Sequence, residues 1–117
     1  MDNYEAVLQE LIKAGGIEGA TLVSLDGLPI ASVLPPDAEE DKVAAMSAAI
    51  LSLGEKVVEE LKKGTLEQIT IKGNSGYIVI TGIGKDAVLT TLTNADAKLG
   101  LIYMEIKKAQ EKLKELI

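Results

Sequence analysis

The sequence predicts an α+β fold, a five-stranded antiparallel sheet with helices on both faces, in the order α-β-β-α-β-β-β-α. Three observations predict it. Three segments repeat their apolar residues at helical spacing, and five short apolar runs between them read as strands. Consecutive strands are joined by Asp26-Gly27, "GNS" and "GKD", links short enough only for antiparallel hairpins. Two of the runs, "ATLVSL" and "YIVI", are apolar at successive positions, so each needs cover on both sides of the sheet.

Each element follows from local chemistry. Tyr4, Val7, Leu8, Leu11 and Ile12 give helix one over 3–14, with Gly15-Gly16 where it stops. Strands one and two cover 20–25 and 28–34, because Asp26-Gly27 readily takes the positive φ angles of a tight turn, and Pro35-Pro36 ends the second. Asp37 with Glu40 three residues on makes a capping-box-like start for helix two. Glu39 and Asp41 suit the positive end of its dipole; the last turn carries Lys62 and Lys63, and Gly64 can take the left-handed conformation that ends it. Strands three, four and five are 65–72, 76–83 and 87–93. In strand three Ile69 and Ile71 point one way and Gln68, Thr70 and Lys72 the other, the pattern of an edge strand. Helix three begins near Asn94 to Asp96 and aligns Leu99, Ile102, Ile106, Ala109, Leu113 and Leu116.

A chain of 117 residues, with no linker or repeat, reads as one domain over 1–117. The core has to be aliphatic, since Phe and Trp are absent, and that removes an aromatic platform for single-stranded nucleic acid. A net charge of −6 with no basic cluster argues against nucleic acid altogether. The acidic N-terminus is unlike a secretory signal and no apolar run is long enough to span a bilayer, so a cytoplasmic protein without membrane insertion is expected. Cys, His and Arg are all missing, which excludes thiol nucleophiles, imidazole bases, the common zinc ligands and an arginine finger. No catalytic residue, cofactor or metal is expected.

Motifs that imitate sites read better as structure. "GIGKDA" at 82–87 lacks the first Gly and the Ser or Thr of a phosphate-binding loop, and serves as a turn. Asp37, Glu39, Glu40 and Asp41 lack the spacing and central Gly of a calcium loop, and serve as a helix start. Asp26 has no second carboxylate to work with, and serves as a turn residue.

Helix two has more apolar surface than one sheet can hide. Val43, Met46, Ile50, Leu53, Val57 and Leu61 form the stripe expected to pack on the sheet. Ala44, Leu51 and Val58 lie on its flank, and Ala45, Ala48, Ala49 and Ser52 occupy the side expected to face away. Small residues permit close approach of a second helix, so a two-fold homodimer through helix two and strand three is expected. Alanines are also good helix formers tolerated on a surface, a reading that requires no partner.

The blocks "GIEGATLVSLDGLPIAS", "EEDKVAAMSAAILSLGEKVVEEL", "LEQITIKGNSGYIVITGIGKDAVLTTL" and "KLGLIYMEIKKAQEKL", in this order, resemble Roadblock (dynein light-chain) domains, in particular prokaryotic MglB-like members. The resemblance implies a Roadblock/profilin-like sandwich with helix two on one face and helices one and three on the other. It also implies homodimers built through helix two and strand three, and a non-enzymatic adaptor or regulator that binds a small Ras-like GTPase. The residues expected at the dimer and partner interface are Ala44, Ala45, Ala48, Ala49, Leu51, Ser52, Lys56, Val58, Ile69 and Ile71. Two alternatives stand beside this one: a scaffold subunit of a larger complex with no effect on GTP turnover, and a small-ligand sensor. A second Roadblock protein in place of the second copy also stays open, as do the GTPase itself and the direction of any effect.

Overall fold

The computed structural model describes residues 2–117 and has the eight elements in the expected order. They are α1 (Asn3–Leu11), β1 (Ile17–Ser24), β2 (Pro29–Val33), α2 (Glu40–Glu60), β3 (Gln68–Gly73), β4 (Gly76–Ile83), β5 (Ala87–Thr93) and α3 (Leu99–Leu116). All pairings are antiparallel and the sheet order is β2-β1-β5-β4-β3, which places β3 at an edge, as its polar alternation indicates.

Several boundaries differ from those read in the sequence. Helix α1 ends at Leu11, and β1 begins at Ile17, because Gly16 at φ 91° turns the chain so that Ile17 pairs with Thr93. The β1–β2 loop has four residues, Leu25 to Leu28, not two. Ser24 N–H donates to the Leu28 carbonyl at 2.8 Å, and of Leu25, Asp26 and Gly27 only Gly27 has positive φ, at 85°. Helix α2 starts from Glu39, which makes no side-chain cap, so Asp37 and Glu40 form no capping box; Asp37 lies in a turn before the helix. The helix stop lies two residues earlier than Gly64 indicates: Lys62 takes the left-handed conformation at φ 58°, Lys62 N–H donates to the Glu59 carbonyl and Lys63 N–H to the Val58 carbonyl. Residues 65–67 belong to the α2–β3 loop, so β4 runs past the end of β3, and Gln110 Nε2 donates to the exposed-edge carbonyl of Gly82 at 2.7 Å.

The sheet separates two layers. On one face α1 and α3 cover Ala20, Leu22, Ala31, Val79, Ile83, Ala87 and Leu89 with Val7, Leu8, Leu11, Ile102, Ile106, Ala109 and Leu113, a continuous aliphatic core. Tyr4 Oη donates to the Leu116 carbonyl, and Lys112 Nζ to Glu10 at 3.0 Å, which holds the Glu10 carboxyl below its ordinary range. On the other face the buried cluster is much smaller: Val23, Ala44, Leu51, Ile80 and Val88. Only α2 covers this side.

The central strand β5 is the most completely enclosed, although its threonines disguise it in the sequence. Thr90 Oγ1 donates to Ser47 Oγ at 2.6 Å, and Thr93 Oγ1 accepts from Tyr77 N–H and donates to the Asn94 carbonyl. Thr91 Oγ1 is the one buried side-chain polar atom without a partner among the described residues.

Candidate interaction face

Apart from Leu51, the residues of α2 that seat it on the sheet are small. Ala44, Ser47 and Leu51 are its buried residues, and Gly54 lies on the same line, one residue in each turn. A Cβ added to Gly54 would stand 2.6 Å from Ile69 Cδ1 and 3.3 Å from Leu66 Cδ2, so the absence of a side chain lets β3 and its preceding loop come against the helix backbone. Ser47 is fixed beneath the helix: its Oγ donates to the Val43 carbonyl at 2.7 Å and accepts from Thr90.

This seating turns the helix by about a quarter turn from the expected orientation. Of the stripe expected on the sheet, Val43 and Ile50 are half-buried, while Met46 is 57% exposed, Leu53 62%, Val57 46% and Leu61 66%. The flank residues Ala44 and Leu51, expected at an interface, are buried against the protomer's own sheet at 0% and 5% and have no surface left for another chain. Val58 and Ile69 are half-buried, and Ile71 is open at the edge. On the alanine side, Ala45, Ala49, Ser52 and Lys56 are exposed, while Ala48 is half-buried. The hairpin loop explains Ala48: a Cβ on Gly27 would stand 3.4 Å from Ala45 Cα and 3.7 Å from Ala48 Cβ, so these alanines receive the β1–β2 loop.

Because α2 covers only part of its face, an open groove of about 450 Å³ remains between the helix and the β3–β4 end of the sheet. Met46, Ile50 and Leu53 form its helical wall, and Ile71, Ile78 and Leu92 form its floor. The floor residues share a face by register, Ile71 standing opposite Ile78 and Ile78 opposite Leu92. Beside the groove runs the free edge of β3, a row of backbone groups with no strand beyond it. Sequence reasoning missed Ile78 as a surface residue and Leu92 as a half-buried one, since apolar strand positions ordinarily mean core. Gly54 in mid-helix was the available signal, because a glycine there marks a close approach of another chain segment to the helix backbone.

Among the described residues no group of three or more His, Cys, Asp or Glu is placed to hold a metal ion. No described helix is long and apolar enough to cross a membrane. The "GIGKDA" segment is the turn between β4 and β5, with Gly84 at φ 60°. Asp26 lies in the β1–β2 loop, and the acids at 39–41 start α2.

Comparison with known proteins gives the groove a context. The Roadblock/LC7 domain model matches residues 3–93, from α1 through β5. The uncharacterized protein MJ1340 of Methanocaldococcus jannaschii is 40% identical over 112 residues, covering 96% of this chain and 97% of that protein. Among solved structures, Myxococcus xanthus MglB superposes with a TM-score of 0.92 at 20% identity, covering 99% of this chain and 95% of MglB. A structure described as MglB with tetrameric arrangement gives a TM-score of 0.88 at 20% identity, covering 98% and 90%. At these identities the two structures speak to the fold, which has the same sheet and helices.

Proposed function

The chain belongs to the Roadblock/LC7 domain family, and from that premise we propose that it is a non-enzymatic homodimeric adaptor or regulator that binds a small Ras-like GTPase. The observation that carries this reading is the apolar groove lying beside the unpaired edge of β3. Fully covering a Met, Leu or Val side chain stabilises by roughly 1.5–3 kcal/mol, so hiding Met46, Leu53 and Val57 together provides the scale of energy that association requires. A second copy related by a two-fold axis supplies both things missing at this place, a helix for the groove and a strand for the edge. That one structural relative is described as MglB with a tetrameric arrangement supports self-association.

On this reading the self-association surface consists of Met46, Ile50, Leu53 and Val57 with Ile69 and Ile71. The outward side of α2, with Ala45, Ser52 and Lys56, is left for the GTPase, while Ala49 stands at the rim of the groove. Ala48 belongs to both the outward side and the seat of the hairpin loop. The protein has no Arg, so any effect on GTP hydrolysis comes from holding the GTPase's own switch groups in place, without an inserted guanidinium.

Light scattering tests the first half of the proposal. Wild type is expected to run at twice the protomer mass and Leu53→Asp at the protomer mass, with the fold retained by circular dichroism. A wild-type protomer mass at micromolar concentration rejects it. Calorimetry with purified Ras-like GTPases of the same organism, loaded with GDP or a GTP analogue, tests the second half. The scaffold reading differs in one measurement: GTP hydrolysis and nucleotide release by a bound GTPase stay unchanged when the protein is added.

A further inference from the structure

We infer that the notch at the end of β4, between α3 and the α2–β3 loop, binds a small organic phosphate, with the phosphate on three lysines and the apolar body on an aliphatic floor. The notch shares no lining residue with the groove and requires no GTPase.

Its origin is a difference in strand length. β3 begins at Gln68, opposite Thr81, so Gly82 and Ile83 at the end of β4 have no strand beyond them. The sheet edge steps back there, and side chains from both layers reach the step, Leu51 of α2 from one face and Ile106 of α3 from the other. With Leu66 of the α2–β3 loop and Ala87 of β5 they make the aliphatic floor. The result is an open cavity of about 710 Å³, within the roughly 300–1,000 Å³ of small-molecule sites.

A missing strand ordinarily leaves backbone groups bare, and here a side chain takes the strand's place. Gln110 Nε2 donates to the Gly82 carbonyl at 2.7 Å. That bond seats one turn of α3 on the strand end. Lys107 and Lys114, three residues before Gln110 and four after it, fall on the same side of the helix and line the cavity. Lys85, in the β4–β5 turn, lines it as well.

Charge selects the occupant. The chain has a net charge of −6, yet three lysines meet at this cavity. Among the described residues none of the three has an acid within ion-pair distance, whereas Lys108 and Lys112, elsewhere on the same helix, are taken by Glu105 and Glu10. The Gly84 and Lys85 N–H groups of the turn also donate to no acceptor among the described residues, so donors are left over together with charge. Glu55 and Glu67 line the cavity from α2 and the α2–β3 loop, which leaves an excess of one positive charge and confines it to the side of α3 and the β4–β5 turn. A long polyanion cannot keep clear of these two glutamates. A single phosphate held among the lysines can, and as a group of charge about −1.5 to −2 it engages more than one of them, where a carboxylate engages one.

Calorimetry with butyl phosphate and with inorganic phosphate tests the site, with amide NMR spectra recorded along each titration. Butyl phosphate is expected to bind saturably, to move the Gly82, Gly84 and Gln110 resonances, and to bind about tenfold tighter than inorganic phosphate because its chain is covered. Lys107→Gln with Lys114→Gln is expected to weaken it about tenfold or more. Lys13→Gln with Lys108→Gln, which removes the same charge outside the cavity, is expected to stay within about twofold of wild type. All four lysines are exposed, so the melting temperature without ligand is expected to match wild type in both variants. No binding of butyl phosphate up to about 10 mM, or equal weakening by the two pairs of substitutions, overturns the site. Inorganic phosphate binding as tightly as butyl phosphate overturns the apolar half of the proposal, and polyphosphate binding more tightly than butyl phosphate overturns the restriction to a single phosphate. Sedimentation with vesicles containing phosphatidic acid, without binding of free butyl phosphate, assigns the lysines to a membrane surface and overturns the small-molecule ligand.

Discussion

The two faces of the sheet use similar residues to opposite ends. On the α1–α3 face, two helices lie side by side and bury a continuous layer of Leu, Ile, Val and Ala. On the α2 face, one helix contributes Ala44 and Leu51 to a buried cluster of five residues and leaves Met46, Leu53, Val57, Ile71 and Ile78 in solvent. Hydropathy alone does not separate these faces, since Leu89 points into one and Ile78 into the other from adjacent strands. What separates them is the number of helices available. A sheet face wide enough for two helices, given one, offers half of its floor to something else.

The difference can be broken from the closed side first. Leu22→Ala empties a site with 0% exposure beneath α1 and α3, and a loss of about 2–5 kcal/mol is expected in denaturant unfolding, with solution mass unchanged wherever the variant stays folded. A loss below about 1 kcal/mol would mean that the closed face is far looser than its packing indicates. The open side has its own weak point in the helix seat. Gly54→Ala puts a methyl group against Ile69 and Leu66, with an expected cost of about 1–3 kcal/mol, partly recovered by pairing it with Ile69→Val. Equal stability of the single and double variants would show that the helix shifts freely at this point.

Two smaller effects sharpen the comparison by raising stability. Thr91→Val removes the unpartnered hydroxyl buried in β5, and a gain of about 1 kcal/mol is expected; a loss of similar size would reveal a hydrogen-bond partner for that hydroxyl. Lys62→Gly relieves the left-handed residue that ends α2, with a gain of about 0.5–1 kcal/mol expected from thermal unfolding and no change in mass. A neutral or destabilising result there would mean that Lys62 makes a contact worth as much as the relief.

The order of elements was legible because hairpins announce themselves: "GNS" and "GKD" permit only neighbouring antiparallel strands, and the edge character of β3 is written in Ile69, Thr70, Ile71 and Lys72. The rotation of α2 was not legible. That helix carries apolar residues in three directions, and a wheel ranks them by hydropathy, whereas the helix sits on the line of Ala44, Ser47, Leu51 and Gly54 and leaves Met46 and Leu53 uncovered. The central place of β5 was hidden for a related reason, since Thr90 and Thr93 look wet until Ser47, Tyr77 and Asn94 are seen to satisfy them. The helix stop moved from Gly64 to Lys62 because the closing hydrogen bonds to Val58 and Glu59 come from residues 63 and 62, and a residue with a side chain adopts the turn that glycine adopts more easily. The open groove, likewise, appears only when strand register brings Ile71, Ile78 and Leu92 together beneath residues of α2 that lie far away in the chain.

The short bond between Ser47 and Thr90 acts as a peg in an otherwise slippery layer. Were the helix free to roll about its axis by a quarter turn, it could tuck its greasiest edge under itself and become a self-sufficient, solitary protein. Two hydroxyl groups, too small to matter in any tally of hydropathy, help to hold the helix at the rotation that leaves Met46, Leu53 and Val57 uncovered.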